Sequence, residues 1–109
     1  MPTYMLQFSY SPEAWAALIR TPEDRTAAVE AIMKSVGGRL VSLHFHMGEF
    51  DGTAIVEAPD DASANAAIMS TVASGTIRSS RTTRLYSPKE MVETLGKAGK
   101  VPYRAPGKA

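Results

Sequence analysis

The 109-residue chain contains no cysteine. It therefore has no disulfide framework, no thiolate metal site and no cysteine nucleophile, which is compatible with a reducing compartment. No apolar run approaches the roughly 18 residues of a membrane span. The first residues, Met1-Pro2-Thr3-Tyr4, lack the basic and apolar segments of a signal peptide. These absences predict a cytoplasmic protein with no membrane association.

Neither sign of charge dominates, because 12 Lys and Arg stand against 11 Asp and Glu for a formal net charge of +1. Such a balance provides no general attraction to nucleic acid or to anionic membranes. Arg78, Arg81 and Arg84 all fall within residues 76–86. They could hold an anion, but the simpler interpretation is a charged edge strand that discourages misassociation. No interleaved aromatic residues accompany them, which argues against binding of single-stranded nucleic acid. The P-loop, dinucleotide and HExxH motifs are also missing. We therefore expect no cofactor and no nucleic-acid partner.

Alternating apolar and polar residues predict four strands, at residues 4–10, 39–47, 53–58 and 76–86. A helix start is indicated where a small polar or acidic residue comes just before a proline or an acid. Two such signals follow the first strand, at Ser11-Pro12 and Thr21-Pro22. One follows the third strand, at Asp60-Asp61, and one follows the fourth, at Ser87-Pro88. The resulting order is β-α-β-β-α-β with an appended C-terminal helix. This order predicts an α+β, ferredoxin-like fold with a four-stranded antiparallel sheet and both helices on one face.

The chain divides by composition at Gly96. Residues 1–95 contain all the predicted elements and form one expected domain, whereas residues 96–109 are rich in Gly, Pro and Lys. We expect the second segment to be an extended or disordered arm.

A sheet with helices on one side leaves its other side uncovered. The residues expected there are semi-polar: Met5, Gln7, Ser9, Ser42, His44 and His46. On the strand at residues 39–47, the opposite parity places Val41, Leu43, Phe45 and Met47 in the core. A water-facing strand usually carries Lys, Glu or Thr, so this composition favours the lining of a cavity closed by a second copy of the sheet. The alternative is an ordinary solvated face.

Residues 48–61, GEFDGTAIVEAPDD, resemble the signature of the GYD-domain family. Phe50 occupies the tyrosine position, and Glu49 separates it from Gly48. The resemblance implies a dimeric α+β barrel in which two ferredoxin-like sheets pack together, or a larger homo-oligomer. It implies no reaction, because the related superfamily includes cofactor-free monooxygenases, muconolactone isomerases, haem enzymes and ligand sensors.

His44 and His46 are two residues apart on a strand, so both side chains project from one face about 7 Å apart. One imidazole can serve as a general acid or base near neutral pH. Two can share a metal ion if a carboxylate or water completes the shell, although no third ligand is evident from the spacing. The simpler interpretation is that both rings only form hydrogen bonds within a cavity wall.

Two acidic residues are further candidates. Asp51 either reaches the cavity mouth or stabilises the turn with Gly52, because Asp readily bonds nearby backbone groups. Glu57 either pairs with an arginine of the last strand, such as Arg78 or Arg81, or acts on a bound ligand.

Two functions remain open from the sequence. The first is a small-molecule-binding protein or enzyme of the cofactor-free monooxygenase or isomerase kind. In it His44 or His46 carries the proton, and Gln7, Ser9, Ser42, Asp51 and Glu57 line the ligand site. The second is a non-enzymatic ligand-binding or assembly module that oligomerises through its sheet. A metal or haem carrier is a third, weaker alternative.

Overall fold

In a computed structural model, which describes residues 1–108, the chain forms four strands and four helices. In chain order these are β1 Thr3–Tyr10, α1 Pro12–Arg20, α2 Thr26–Ser35, β2 Arg39–Phe45, β3 Gly52–Glu57, α3 Asp61–Ala73, β4 Ile77–Leu85 and α4 Pro88–Ala98. The strands form one antiparallel sheet in the order β2-β3-β1-β4. The predicted α+β, ferredoxin-like fold is confirmed.

Side-chain caps start three of the helices where the sequence predicts them. Ser11 accepts a hydrogen bond from the Ala14 N–H, and Asp60 accepts one from the Ser63 N–H. Ser87 and Glu90 form a complete capping box. Helix α2 is different, because it begins at Thr26 and not near Pro22. Its first N–H donates to the Asp24 carboxylate, so this acid satisfies the new helix end.

The core lies between the sheet and helices α2 and α3. Strand β1 alternates, and the apolar residues of its even positions are buried against the helices: Tyr4, Leu6, Phe8 and Tyr10. Val56 of β3 and Met33 of α2 complete the centre, each almost fully buried. Burial of a large apolar side chain contributes about 1.5–3 kcal/mol, so this layer holds the sheet in place.

A β-bulge in β2 changes the predicted parity of that strand. The pairing with β3 passes from Leu40 directly to Ser42, which leaves Val41 as the extra residue. Leu40 consequently packs on the core, whereas Val41 is 47% exposed. The prediction that Val41 faces the core is therefore wrong, and only beyond the bulge does the expected alternation of Leu43 and His44 hold.

The end of β2 also differs from the prediction. The strand stops at Phe45, and Met47 in the following loop is 84% exposed instead of buried. Phe45 lies on the core side, where it contacts Phe8 edge-to-face and stacks on Tyr10, but half of its surface remains accessible.

Helix α4 continues through Gly96 to Ala98, beyond the boundary predicted at Gly96. A single exposed glycine costs a helix only about 1 kcal/mol relative to alanine, which is too little to end it. No residue of α4 is buried, and Arg84–Glu90 is an ion pair that ties its first turn to β4. Residues 101–108 contain neither helix nor strand, and Ala109 lies outside the described residues.

Within residues 1–108, no helix is both long enough and apolar enough to cross a membrane.

Candidate functional site

The sheet face opposite the helices, here called the open face, carries a row of four polar side chains. The strand register sets Gln7 of β1 between Thr53 of β3 and Arg81 of β4, and it sets His44 of β2 opposite Thr53. Directly opposed residues of antiparallel strands have Cβ atoms about 4.5–5.5 Å apart. His44, Thr53, Gln7 and Arg81 therefore form a continuous line across all four strands, which we call the polar row.

The next line of residues on the open face is more apolar. Register pairs Ser42 with Ile55, Ile55 with Met5, and Met5 with Thr83. All four side chains are half-buried in the single chain. A polar row beside an apolar strip resembles the lining of a ligand site, in which a few polar groups orient a largely apolar molecule.

The two histidines meet around Thr53. The His46 Nε2 lies 2.7 Å from the Thr53 hydroxyl oxygen, and His44 is the direct cross-strand neighbour of Thr53. The ring nitrogen and the hydroxyl exchange donor and acceptor roles with the histidine tautomer. Both imidazoles are exposed, so they are accessible to a ligand on the open face. Within residues 1–108 no three His, Cys, Asp or Glu side chains form a group able to hold a metal ion.

The alternation of β1 places Ser9 on the same side of the sheet as Gln7, but Ser9 is not accessible on the open face. Its side chain is fully buried, and its hydroxyl donates a 3.3 Å hydrogen bond to the Glu49 carbonyl. The hairpin loop between β2 and β3 folds back over this end of the sheet. Ser9 is therefore a contact between strand and loop, and the expectation that it orients a ligand does not fit this arrangement.

Asp51 fastens the hairpin tip to β1. Its carboxylate accepts a 3.0 Å hydrogen bond from the Tyr10 N–H, and its own N–H donates to the Phe8 carbonyl at 2.9 Å. The His46 N–H donates to the Asp51 carbonyl, also at 2.9 Å. Three bonds thus hold Asp51 in position, so its carboxylate serves the backbone of β1 and does not point freely toward a cavity.

Phe50 and Gly52 complete this packing. Phe50 is buried under the Arg81 guanidinium, which lies 5.4 Å from the ring centroid. Arg81 also reaches Glu49 at 3.4 Å. A Cβ added at Gly52 would lie 2.4 Å from Cζ of the buried Phe8 ring, so only glycine fits. The Phe50-Asp51-Gly52 triplet therefore has a structural role, because it holds the tip of the hairpin against β1.

Glu57 pairs with Arg39 and not with Arg78 or Arg81. The shortest contact joins Arg39 Nε to the Glu57 carboxylate. The reason is strand order, because β3 lies between β2 and β1 and does not touch β4. The expected arginine partner of β4 is therefore wrong, and the ion pair marks the edge of the open face.

Sequence reasoning missed Thr53 and the place of Arg81 in the polar row. The sequence indicates for Arg81 only a position on a charged edge strand, which is correct for β4 but incomplete. The signal was present in the fold itself, since a ferredoxin-like order places β1 between β3 and β4. Gln7 then has a neighbour on each side that parity identifies.

Comparison with known proteins agrees with the fold. Residues 4–95 match the family model of the GYD domain, so the chain belongs to that family. The crystal structure of TTHA0845 from Thermus thermophilus is similar, with a TM-score of 0.50 at 12% sequence identity. The alignment covers 80% of this chain and 95% of the Thermus chain, and at this identity it supports the fold alone. No curated protein matches the chain.

Proposed function

For this member of the GYD domain family, we propose a small-molecule-binding function with the ligand site on the open face, completed by self-association. The polar row is the observation that carries the proposal. It sets an imidazole, a hydroxyl, an amide and a guanidinium in line across the sheet, next to the apolar Met5–Ile55 strip. A sheet face that contacts only water does not require an imidazole, an amide and a guanidinium in one line.

A second copy is the natural cover for this face. Met5 and Ile55 expose part of their apolar surface to solvent in a single chain. Directly packed sheets lie about 10 Å apart with interdigitated side chains, so a ligand site at this interface requires the two sheets to stand farther apart. A two-fold arrangement would bring one polar row against the other, because a two-fold interface uses the same patch on both copies.

The finer proposal is proton transfer of the cofactor-free monooxygenase or isomerase kind. His44 or His46 would be the proton carrier, and the hydrogen bond between His46 and Thr53 would select the tautomer. Gln7 and Ser42 would orient the ligand, and Arg81 would stabilise negative charge that develops on it. Glu57 would lie at the edge of the ligand site, because its carboxylate is already paired with Arg39.

A ligand screen tests this proposal. A small-fragment library is screened by saturation-transfer NMR against the wild-type chain and against His44→Ala. Arg20→Ala is the control, because Arg20 is an exposed residue at the end of α1, a helix that packs on the core side of the sheet. We expect a group of fragments that binds the wild type and Arg20→Ala but loses at least tenfold in affinity to His44→Ala. Fragments that bind all three proteins equally would contradict the proposal.

The second candidate function is an assembly module, and helix α4 favours it. Met91, Val92 and Leu95 are all exposed although they form an apolar side of this amphipathic helix. An isolated helix of this length is marginal in water, so a partner surface would stabilise it. In an assembly module, side chains fill the space between sheets. Helix α4 would add to that interface, so the double substitution of Met91 and Leu95 by Lys would weaken the oligomer, whereas in the first candidate it leaves fragment binding to the open face intact.

A further inference from the structure

A second concavity lies on the other side of the sheet, among the helices. Its volume is about 70 Å³, and its buried floor includes Leu6 and Phe8 of β1. Its half-buried wall includes Ile32 of α2 and Ile68 of α3. Gln7, between the two floor residues, belongs to the open face. The cavity is thus separated from the polar row by the thickness of the sheet.

The polar groups of this cavity lie among its more accessible residues. Arg25, Thr71 and Thr76 are half-buried, and they border a lining that is otherwise almost entirely apolar. Arg25 precedes α2 and is the only charged residue of the lining. An apolar interior with one cation beside it matches an amphipathic ligand with a negative head.

Arg25 is available to a ligand because its present partner is weakly held. Its Nη1 lies 2.8 Å from the exposed Glu23 carboxylate, two residues away on the same loop. Exposed pairs of this kind contribute little to stability, because water screens them. Arg25 also acts on the lining itself: burial raises the pKa of Tyr10, and the charge of Arg25 partly offsets that rise. Arg25 therefore lies close to the Tyr10 side chain, which also lines the cavity.

The volume limits the size of the ligand. One water-sized group needs about 10–15 Å³ of such space, so 70 Å³ holds roughly five. We propose that this cavity binds a short-chain aliphatic carboxylate, with its alkyl chain against Ile32 and Ile68 and its carboxylate on Arg25. Typical sites for drug-sized ligands exceed about 300 Å³, so longer amphiphiles do not fit.

Backbone-amide NMR with two matched probes tests this proposal. The ¹⁵N-labelled full chain is titrated with hexanoate and, separately, with 1-hexanol, which has the same chain length without the charge. We expect both probes to shift the amides of Val29, Ile32, Ile68 and Thr71, with hexanoate about tenfold tighter because of one charge-assisted hydrogen bond. Shifts confined to Gln7, Thr53 and His44 would overturn the proposal and favour the open face instead.

Two arginine variants separate the contribution of the carboxylate to binding from that of the alkyl chain. Arg25→Gln should weaken hexanoate about tenfold, to the affinity of hexanol, and leave hexanol unchanged. Arg20→Gln removes the same charge from an exposed position outside the lining and is the matched control. Equal losses in both variants would overturn the assigned role of Arg25, because they would show a general charge effect.

Variants in which a larger side chain fills the cavity provide the remaining control. Ala67 of α3 is buried and lines the cavity, so Ala67→Leu should occupy it and abolish binding of both probes. Val29→Phe fills it from α2 and serves if the first variant does not fold. Unchanged hexanol binding in a folded filling variant, judged by its dispersed amide spectrum, would contradict the proposed location.

Discussion

The signature segment, residues 48–61, and the polar row share Thr53 on one sheet, but otherwise they have opposite properties. Asp51 and Asp60 of the signature segment are each engaged with backbone N–H groups, and Gly52 is fixed by the ring of Phe8. In the polar row, His44 and Arg81 remain exposed. Most of this recognisable stretch therefore builds the fold, whereas the other three members of the polar row, His44, Gln7 and Arg81, lie on strands with no conspicuous motif.

The largest expected effect within the signature segment is at Gly52. Gly52→Ala places a methyl group 2.4 Å from Cζ of the buried Phe8 ring, so this ring or the strands that carry the two residues must shift. We expect a loss of about 2–3 kcal/mol in the free energy of unfolding, typical of an overpacked core, measured by urea denaturation. Gly48→Ala is the matched control, since its added Cβ meets no atom within 4 Å. Equal losses in the two variants would show that the close approach at Gly52 is unimportant.

The second largest loss of stability is expected at Asp51. Asp51→Ala leaves the Tyr10 N–H without its acceptor, and Tyr10 is buried. An unsatisfied buried donor costs about 1–3 kcal/mol, which urea denaturation would detect as a lower midpoint. Glu49→Ala, in the same loop, removes only an exposed pair with Arg81 and should change stability by less than about 1 kcal/mol. A larger loss in Glu49→Ala would reverse the roles assigned to the two acids.

Substitution in the polar row should change ligand binding more than it changes stability. Gln7→Ala removes a half-buried side chain that the structure gives no side-chain hydrogen bond within residues 1–108, so we expect a change in stability within about 0.5 kcal/mol. The same substitution should reduce binding of fragments identified on the wild type. Urea denaturation and NMR titration of one sample compare the two effects directly. A Gln7→Ala protein that is strongly destabilised but binds normally would give the row a structural role.

The smallest effect concerns acid stability at the end of the signature segment. The Ser63 N–H, bonded to Asp60, lowers the pKa of that carboxyl below its ordinary value of 3.8. A lowered folded-state pKa stabilises the fold above the unfolded value, and this stabilisation is lost as pH falls through the folded one. Asp60→Asn keeps an N-cap oxygen but does not titrate. Stability measured from pH 6 to pH 2 should therefore fall less steeply in Asp60→Asn, and parallel curves would contradict the assigned cap.

Local signals predicted the fold well because each depends on neighbours in the chain. The alternation of β1 and the caps at Ser11, Asp60 and Ser87 all appear as expected. Each is determined within a few residues, where the backbone geometry leaves few alternatives. The GYD resemblance, stated on residues 48–61, is likewise confirmed by a match over residues 4–95.

The candidate site was harder to predict because it depends on pairing between distant residues. The bulge at Val41 arises from the register of β2 against β3, which the alternation of β2 alone does not contain. Ser9 is hidden by a loop 40 residues away in the chain, and the partner of Glu57 follows from strand order. Parity identified the face of Gln7 and His44 correctly, but not which of its residues remain accessible.

Light scattering of the wild type, Ile55→Arg and Val72→Arg tests the central claim most directly. Ile55 lies in the apolar strip of the open face, and Val72 is an exposed apolar residue of α3 on the helix side. We predict a wild-type mass of at least twice the 11.7 kDa of one chain at micromolar concentration. Ile55→Arg should reduce it to one chain, and Val72→Arg should leave it unchanged. A wild-type monomer, or an oligomer that Ile55→Arg does not affect, would contradict a ligand site closed by a second copy.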